Sequence, residues 1–202
     1  MKAAYYRMKR NALSAALFSL CGAGWLGGCA SQSLPPISTV TQVDLQRFMG
    51  DWYVIAAIPT FIETEAYNAV ESYRLNPDGT VATTFTCRKG SFSGPLKTYE
   101  PRGYVVDDTG NAVWGMQFVW PIKAEYVVVH LDPTYSYTVI GRSARDYAWV
   151  MARTPTMPAA DYAAAVAKLE ALGYPLDGLR EVPQRWPENK PREDTGTADA
   201  VR

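Results

Sequence analysis

The chain has 202 residues, 48% of them hydrophobic and 20% charged, with 20 basic and 20 acidic side chains. That is the length of one domain with enough apolar side chain to build a core, which excludes disorder of the whole chain. Four basic residues fall in the first ten positions and residues 1–28 contain no acid; without that segment the formal charge is about −4, so the remainder lacks the basic face that nucleic acid requires.

The first segment reads as an address. Lys2, Arg7, Lys9 and Arg10 form a basic start, and a mostly apolar run follows from Ala12 to Leu26. That run is short of the ~20 residues that span a bilayer as a helix, and with small residues behind it the pattern is that of a signal peptide over 1–28. Leu26-Gly27-Gly28-Cys29 resembles the bacterial lipobox, in which the cysteine is lipidated and the peptide is cut just before it. The resemblance implies that Cys29 becomes the first residue of the mature protein and carries acyl chains, two or more of which hold a protein stably on a membrane. Ala30 at the next position, where other lipoproteins of this kind carry Asp, implies an outer-membrane destination facing the periplasm. Residues 29–44 are then the lipidated cysteine and a polar, proline-containing tether. Cys21 lies inside the apolar run and Cys29 at its edge, so Cys87 is alone in the globular part and no disulfide forms there. With no CxxC spacing and a single histidine, His130, no zinc site, other metal site or cofactor is implied.

From Phe48 onward, runs rich in Val, Thr, Tyr, Phe and Trp are broken by turn residues about every ten positions. Strands are predicted at 52–58, 67–75, 80–88, 97–107, 112–119, 124–131, 135–141 and 146–153. Asn76-Pro77-Asp78-Gly79 is a turn in which proline presets φ and glycine supplies φ > 0; Asp108-Thr109-Gly110-Asn111 and Asp132-Pro133-Thr134 are further tight joints. Eight consecutive strands with short connections imply an all-β, up-and-down antiparallel barrel, of a size that just holds one small ligand. One helix follows over 159–172, opened at Pro158, stopped by Gly173 and apolar at Tyr162, Val166 and Leu169; it flanks the barrel. Leu179–Gln184 can extend the sheet. The barrel and helix occupy 45–186, and the polar stretch 187–202 reads as a disordered tail.

Three landmarks carry a family resemblance. Gly50-Asp51-Trp52 at the start of the first strand matches a G-x-W signature. Asp132-Pro133-Thr134-Tyr135 stands at the joint of the sixth and seventh strands, and Arg153 ends the eighth. In this order the chain resembles the lipocalins, and Arg145–Thr156 is similar to the corresponding segment of bacterial outer-membrane lipocalins. The second landmark departs from the family's Thr-Asp-Tyr spelling. The resemblance implies that Gly50, Trp52 and Arg153 close one barrel end, the guanidinium lying on the indole. It also implies that 59–66 lids the other end, with Phe61 and Ile62 able to touch ligand or membrane.

Alternate strand residues share a face. Taking Trp52 as inward puts Val54, Ala56 and Ile58 inward. The same logic selects Phe85 with Val81 and Cys87, then Trp114, Met116 and Phe118, then Tyr147, Trp149 and Met151. The sixth and seventh strands are apolar on both faces; Val127, Val129, Thr138 and Ile140 are chosen there from the resemblance. The ligand-binding set is therefore Val54, Ala56, Phe85, Trp114, Met116, Phe118, Val127, Val129, Thr138, Ile140, Tyr147, Trp149 and Met151. It describes an aromatic, methionine-lined pocket with few charges, suited to acyl chains. The pattern leaves Glu71 facing either way and His130 outward.

No catalytic residue is assigned. The resemblance implies a lipid-binding protein, with a fatty acid or lysophospholipid as ligand, held at the membrane by its acyl anchor; a homodimer is left open. Two other readings stand beside it. One is an enzyme on the same scaffold, a thiol-dependent isomerase using Cys87 with His130 as its only available base. The other is a structural envelope lipoprotein with a filled barrel.

Overall fold

The computed structural model describes residues 34–188. The segment read as a signal peptide, Cys29, and residues 189–202 of the stretch read as a tail lie outside the described residues. A short helix α1 (Leu45–Phe48) precedes nine strands: β1 (Gly50–Ile58), β2 (Ala66–Leu75), β3 (Val81–Lys89), β4 (Leu96–Tyr99), β5 (Arg102–Val105), β6 (Val113–Val119), β7 (Ile122–Leu131), β8 (Tyr137–Gly141) and β9 (Ala148–Ala152). Helix α2 (Ala159–Ala171), one 3-10 turn and the two-residue strand β10 (Arg180–Glu181) follow.

The strands pair antiparallel in chain order, and β9 returns to β1. β4 and β5 both pair with β3, so they are two halves of one barrel strand. The break falls at Glu100-Pro101, where proline has no N–H to give the ladder. Counted so, the barrel is closed and eight-stranded, with one helix on its flank, as the sequence predicts.

Two apolar layers hold it. Inside the barrel, Phe48, Trp52, Tyr73, Trp114, Val128, Ile140 and Met151 belong to one buried cluster. Outside, α2 presses Ala165 and Leu169 onto Val127, Val129, Val139 and Val150. Ala165 and Leu169, rather than Val166, are the buried positions of the helix. Gly173, at φ +82°, turns the chain out of α2, and buried Tyr174 behind it accepts the Arg142 N–H (2.6 Å) and donates to the Arg142 carbonyl (3.0 Å).

Both ends of the described chain are stitched to the barrel. Residues 34–43, read from the sequence as part of the tether, lie against it because Ile37, Val40 and Val43 have side chains to bury. Val40 donates to Val128 O (3.0 Å), Val43 to Gly110 O (2.8 Å), and the Arg145 guanidinium reaches Pro35 O (2.7 Å). At the other end β10 pairs with Ala56 and Ala57 of β1, and the Gln184 amide donates to Val54 O (2.8 Å) and Ala69 O (3.1 Å). The segment thus fills the gap where β1 and β2 diverge. Glu188, the last residue described, pairs with Arg88 at 2.7 Å.

Candidate functional site

One end of the barrel is closed by aromatic packing. Trp52 is fully buried, its indole N–H donating to Phe48 O (2.8 Å) and its ring 5.0 Å from that of Phe48. The Arg153 guanidinium lies 3.8 Å from the Trp52 ring and donates to the carbonyls of Asp51 (2.9 Å) and Arg47 (2.6 Å). Gly50 sits at φ +91°, a backbone conformation that disfavours any side chain there, although a Cβ would be in ordinary contact with that guanidinium, at 3.5 Å. The joint at Asp132–Ser136 braces the same end. Tyr135 takes the Asp44 N–H on its hydroxyl (2.9 Å) and the Arg47 guanidinium over its ring (3.9 Å).

Above this floor lies a cavity of about 340 Å³, which opens between the 60–63 segment and the β6–β7 hairpin. That is at the small end of the ~300–1,000 Å³ typical of ligand pockets. Phe85, Met116, Tyr147, Trp149 and Met151 of the sequence-derived set line it, and Phe118 stands at its exposed rim. Val54, Trp114, Thr138 and Ile140 are inside the barrel wall but below the cavity or packed among neighbours. Trp114 belongs to the floor, its ring 5.5 Å from Phe48 and 5.2 Å from Tyr126, and Thr138 is tied to His130 O at 2.8 Å.

Three assigned residues face the other way, along with Ile58. In β1, Val54 pairs with Met151 but Ala56 pairs with Val150, so Ile55 is an extra residue in the ladder. The bulge flips the phase: Ala56 and Ile58 join the outer layer, and Ala57 takes the inward place. In β7, Tyr126 and Val128 point inward, which puts Val127 and Val129 outward beneath α2. Both faces of β7 are apolar because the helix covers the outer one, so alternation could not decide between them.

The parity error hid Tyr126. Its hydroxyl lies 2.8 Å from that of Tyr73, and burial pushes both phenols well above their ordinary range. The rings of Trp114, Tyr126 and Trp149 are stacked in sequence from floor to cavity. Glu63 was missed because it sits in the lid, not in a strand. It accepts from the Thr60 N–H and hydroxyl (both 2.9 Å) and from the Trp149 indole N–H (2.7 Å), so the lid is latched to the barrel interior.

The open question over Glu71 is settled: it faces inward, opposite Trp52 and Phe85 on the neighbouring strands, and lines the cavity. Its Oε2 is shielded from solvent and has no hydrogen-bond partner among the described residues. Burial first, and the Glu63 carboxylate second, hold the Glu71 carboxyl well above the usual carboxylate range.

Cys87 is buried inside the barrel, whereas His130 lies outside, its ring stacked on Tyr137 at 5.0 Å. The barrel wall separates them, so thiol and imidazole form no pair. Burial also pushes the Cys87 thiol up, away from the thiolate that a nucleophile requires. No group of His, Cys, Asp and Glu suited to a metal ion occurs among the described residues, and no helix there is long and apolar enough to cross a membrane.

Comparison with known proteins agrees with this geometry. The family model described as a lipocalin-like domain matches residues 43–184. Temperature-induced lipocalin-1 of Arabidopsis thaliana is 27% identical over 176 residues, covering 81% of this chain and 90% of that protein. The outer membrane lipoprotein Blc of Escherichia coli K12 is 28% identical over 145 residues, covering 70% of this chain and 80% of its own. Among solved structures, the cockroach allergen Per a 4 superimposes with a TM-score of 0.58 at 18% identity, over 76% of this chain and 96% of that one; this likeness concerns the fold.

Proposed function

This chain belongs to the lipocalin-like family, and from that premise we propose that it is a membrane-anchored lipid-binding protein of the bacterial envelope. Its ligand is a single-chain lipid, a fatty acid or lysophospholipid, stored or carried in the barrel. The observation that carries this reading is the cavity of about 340 Å³, walled by Phe85, Met116, Trp149 and Met151 and closed below by Trp52. Apolar burial of ~25 cal/mol per Å² supplies the affinity for a chain in such a space. Anchoring through Cys29 on the periplasmic face of the outer membrane rests on the lipobox-like sequence, on Ala30 and on the relatives named outer membrane lipoprotein.

The rim supports exchange with a bilayer. Phe61 (85% exposed), Val119 and Ile122 line the mouth from the 60–63 segment and the adjoining ends of β6 and β7, and Trp120 (81% exposed) lies in the turn between those strands. Large apolar side chains left in water at a pocket entrance mark a contact surface. A filled, purely structural barrel is disfavoured by the cavity, and the isomerase reading by the separation of Cys87 from His130.

Native mass spectrometry of the chain, gently released from membranes, tests the proposal. Co-purified single-chain lipids are the expected result. Their absence, together with no displacement of a fluorescent fatty acid, would overturn it.

A further inference from the structure

Below its rim the cavity is lined by apolar and aromatic side chains and by two acids, Glu71 and Glu63. Glu71 projects from β2 into the middle of the barrel with one carboxyl oxygen shielded and unpartnered. Glu63 reaches toward it from the lid, both its oxygens already engaged by Thr60 and Trp149. The Tyr73 and Tyr126 hydroxyls are paired with each other. From β3 the neighbouring titratable group is the buried thiol of Cys87. Glu125, at the rim, is bound to Ser143. Among the described residues, the one cation lining the cavity is Arg142, also at the rim, ion-paired with Asp146 at 3.0 Å and lying against the Tyr147 ring.

A buried carboxyl without a partner is costly, and no side chain among the described residues supplies one to Glu71 Oε2. A carboxylate ligand would meet two acids in the interior; the one cation among the described lining residues is Arg142 at the rim, whose NH1 is ion-paired with Asp146 and whose buried Nε alone lacks a partner there. A cation would find the reverse: an unsatisfied acceptor, a second carboxylate, and the rings of Tyr126 and Trp149 to lie against. We propose that the ligand of this cavity carries an amine, whose ammonium is held by Glu71 with Glu63 beside it, against Tyr126 and Trp149. This rests on the ligand-binding reading of the same cavity; of the ligands named there it sets aside the fatty acid and keeps an apolar, amine-bearing amphiphile, such as a lysophospholipid with an amine head group.

The proton balance follows. In the empty barrel, burial keeps Glu71 protonated above the usual carboxylate range. When the ammonium enters, Glu71 ionises against it, and the carboxyl proton leaves to solvent. Amine affinity therefore rises as pH climbs toward the raised Glu71 value and levels off above it. A ligand that accepts a hydrogen bond from the neutral carboxyl would show the opposite slope.

The test uses the full, unlipidated chain carrying Cys29→Ser. The neutral fluorophore N-phenylnaphthylamine is displaced by dodecylamine, dodecanol or dodecanoate. Dodecylamine should bind roughly tenfold more tightly than either competitor, with the preference growing as pH rises and vanishing in Glu71→Gln. Titration calorimetry in buffers of different ionisation enthalpy should show proton release on amine binding. Equal or tighter binding of dodecanol or dodecanoate, amine affinity that falls with rising pH, or an amine preference that survives Glu71→Gln would overturn the proposal and leave the lipid-binding reading standing. Failure of every alkyl ligand to displace the fluorophore would overturn both. The head-group ranking and its pH slope in the parent chain decide the matter without the variant.

Discussion

Replacing Arg153 with methionine tests the closed end of the barrel. Methionine keeps an apolar stem that can lie on the Trp52 ring, so the packing is largely retained. What is lost is the guanidinium 3.8 Å from that ring and its two hydrogen bonds, to Asp51 O at 2.9 Å and Arg47 O at 2.6 Å. A half-exposed cation–π contact is worth ~0.5–1 kcal/mol, and charge-assisted bonds ~1.5–3 kcal/mol when buried, less at a surface. Those terms put the loss at about 2–3 kcal/mol, a fall of roughly 5–10 °C in Tm for a domain of this size. Urea and thermal unfolding, followed by the near-ultraviolet circular dichroism of the tryptophans, measure it. A cycle with Trp52→Phe should show coupling of about 0.5–1 kcal/mol between the two positions. Arg153→Met within ~0.5 kcal/mol of the parent, or strict additivity with Trp52→Phe, would refute the claim that this pair secures the barrel end.

Three further outcomes are expected. In the empty protein, Glu71 binds a proton more tightly when folded than when unfolded, so stability falls as pH rises from the unfolded carboxyl value, near ~4.3, to the raised folded value. Glu71→Gln removes that slope, so the variant's advantage should grow with pH across the window; a pH-independent difference in urea midpoint would contradict the assignment. Val127→Ala should cost roughly 1–3 kcal/mol by opening a void under α2 and leave ligand affinity unchanged, while Ala124→Phe should fill the cavity and weaken binding of a neutral fluorophore about tenfold with little loss of stability. Affinity and denaturation measured on both variants check the facing of β7, and a binding defect confined to Val127→Ala would reverse it. Cys29→Ser should move the protein from the membrane to the soluble fraction with ligand affinity intact, read by fractionation and fluorophore titration; membrane retention would refute the anchor.

Much of the barrel was legible because its signals are local. Turn residues such as Asn76-Pro77-Asp78-Gly79 bound the strands, and alternation on β9 selects Trp149 and Met151 against buried Val150 on the outer wall. The closed end was legible as well, since Gly50, Trp52 and Arg153 are residue types with few other reasons to occur in that order. The site was less so. Alternation carries phase only until an extra residue enters a strand, and nothing in Val54-Ile55-Ala56-Ala57 announces that Ile55 is that residue. On β7 there was no contrast to read, because α2 makes the outer face as dry as the inner one.

The amino-acid sequence by itself determined the strand count, the flanking helix, the landmark residues and the apolar character of the pocket, all of which depend on residues near in the chain or on their type alone. The tertiary structure alone decided that Ala57 and Tyr126 replace Ala56 and Val127 on the inner face, that the lid carboxylate of Glu63 is latched to Trp149, and that Glu71 is enclosed without a partner among the described residues. Facing and enclosure are properties of register between strands distant in sequence. A one-residue slip in that register exchanges the inside of a barrel for its outside.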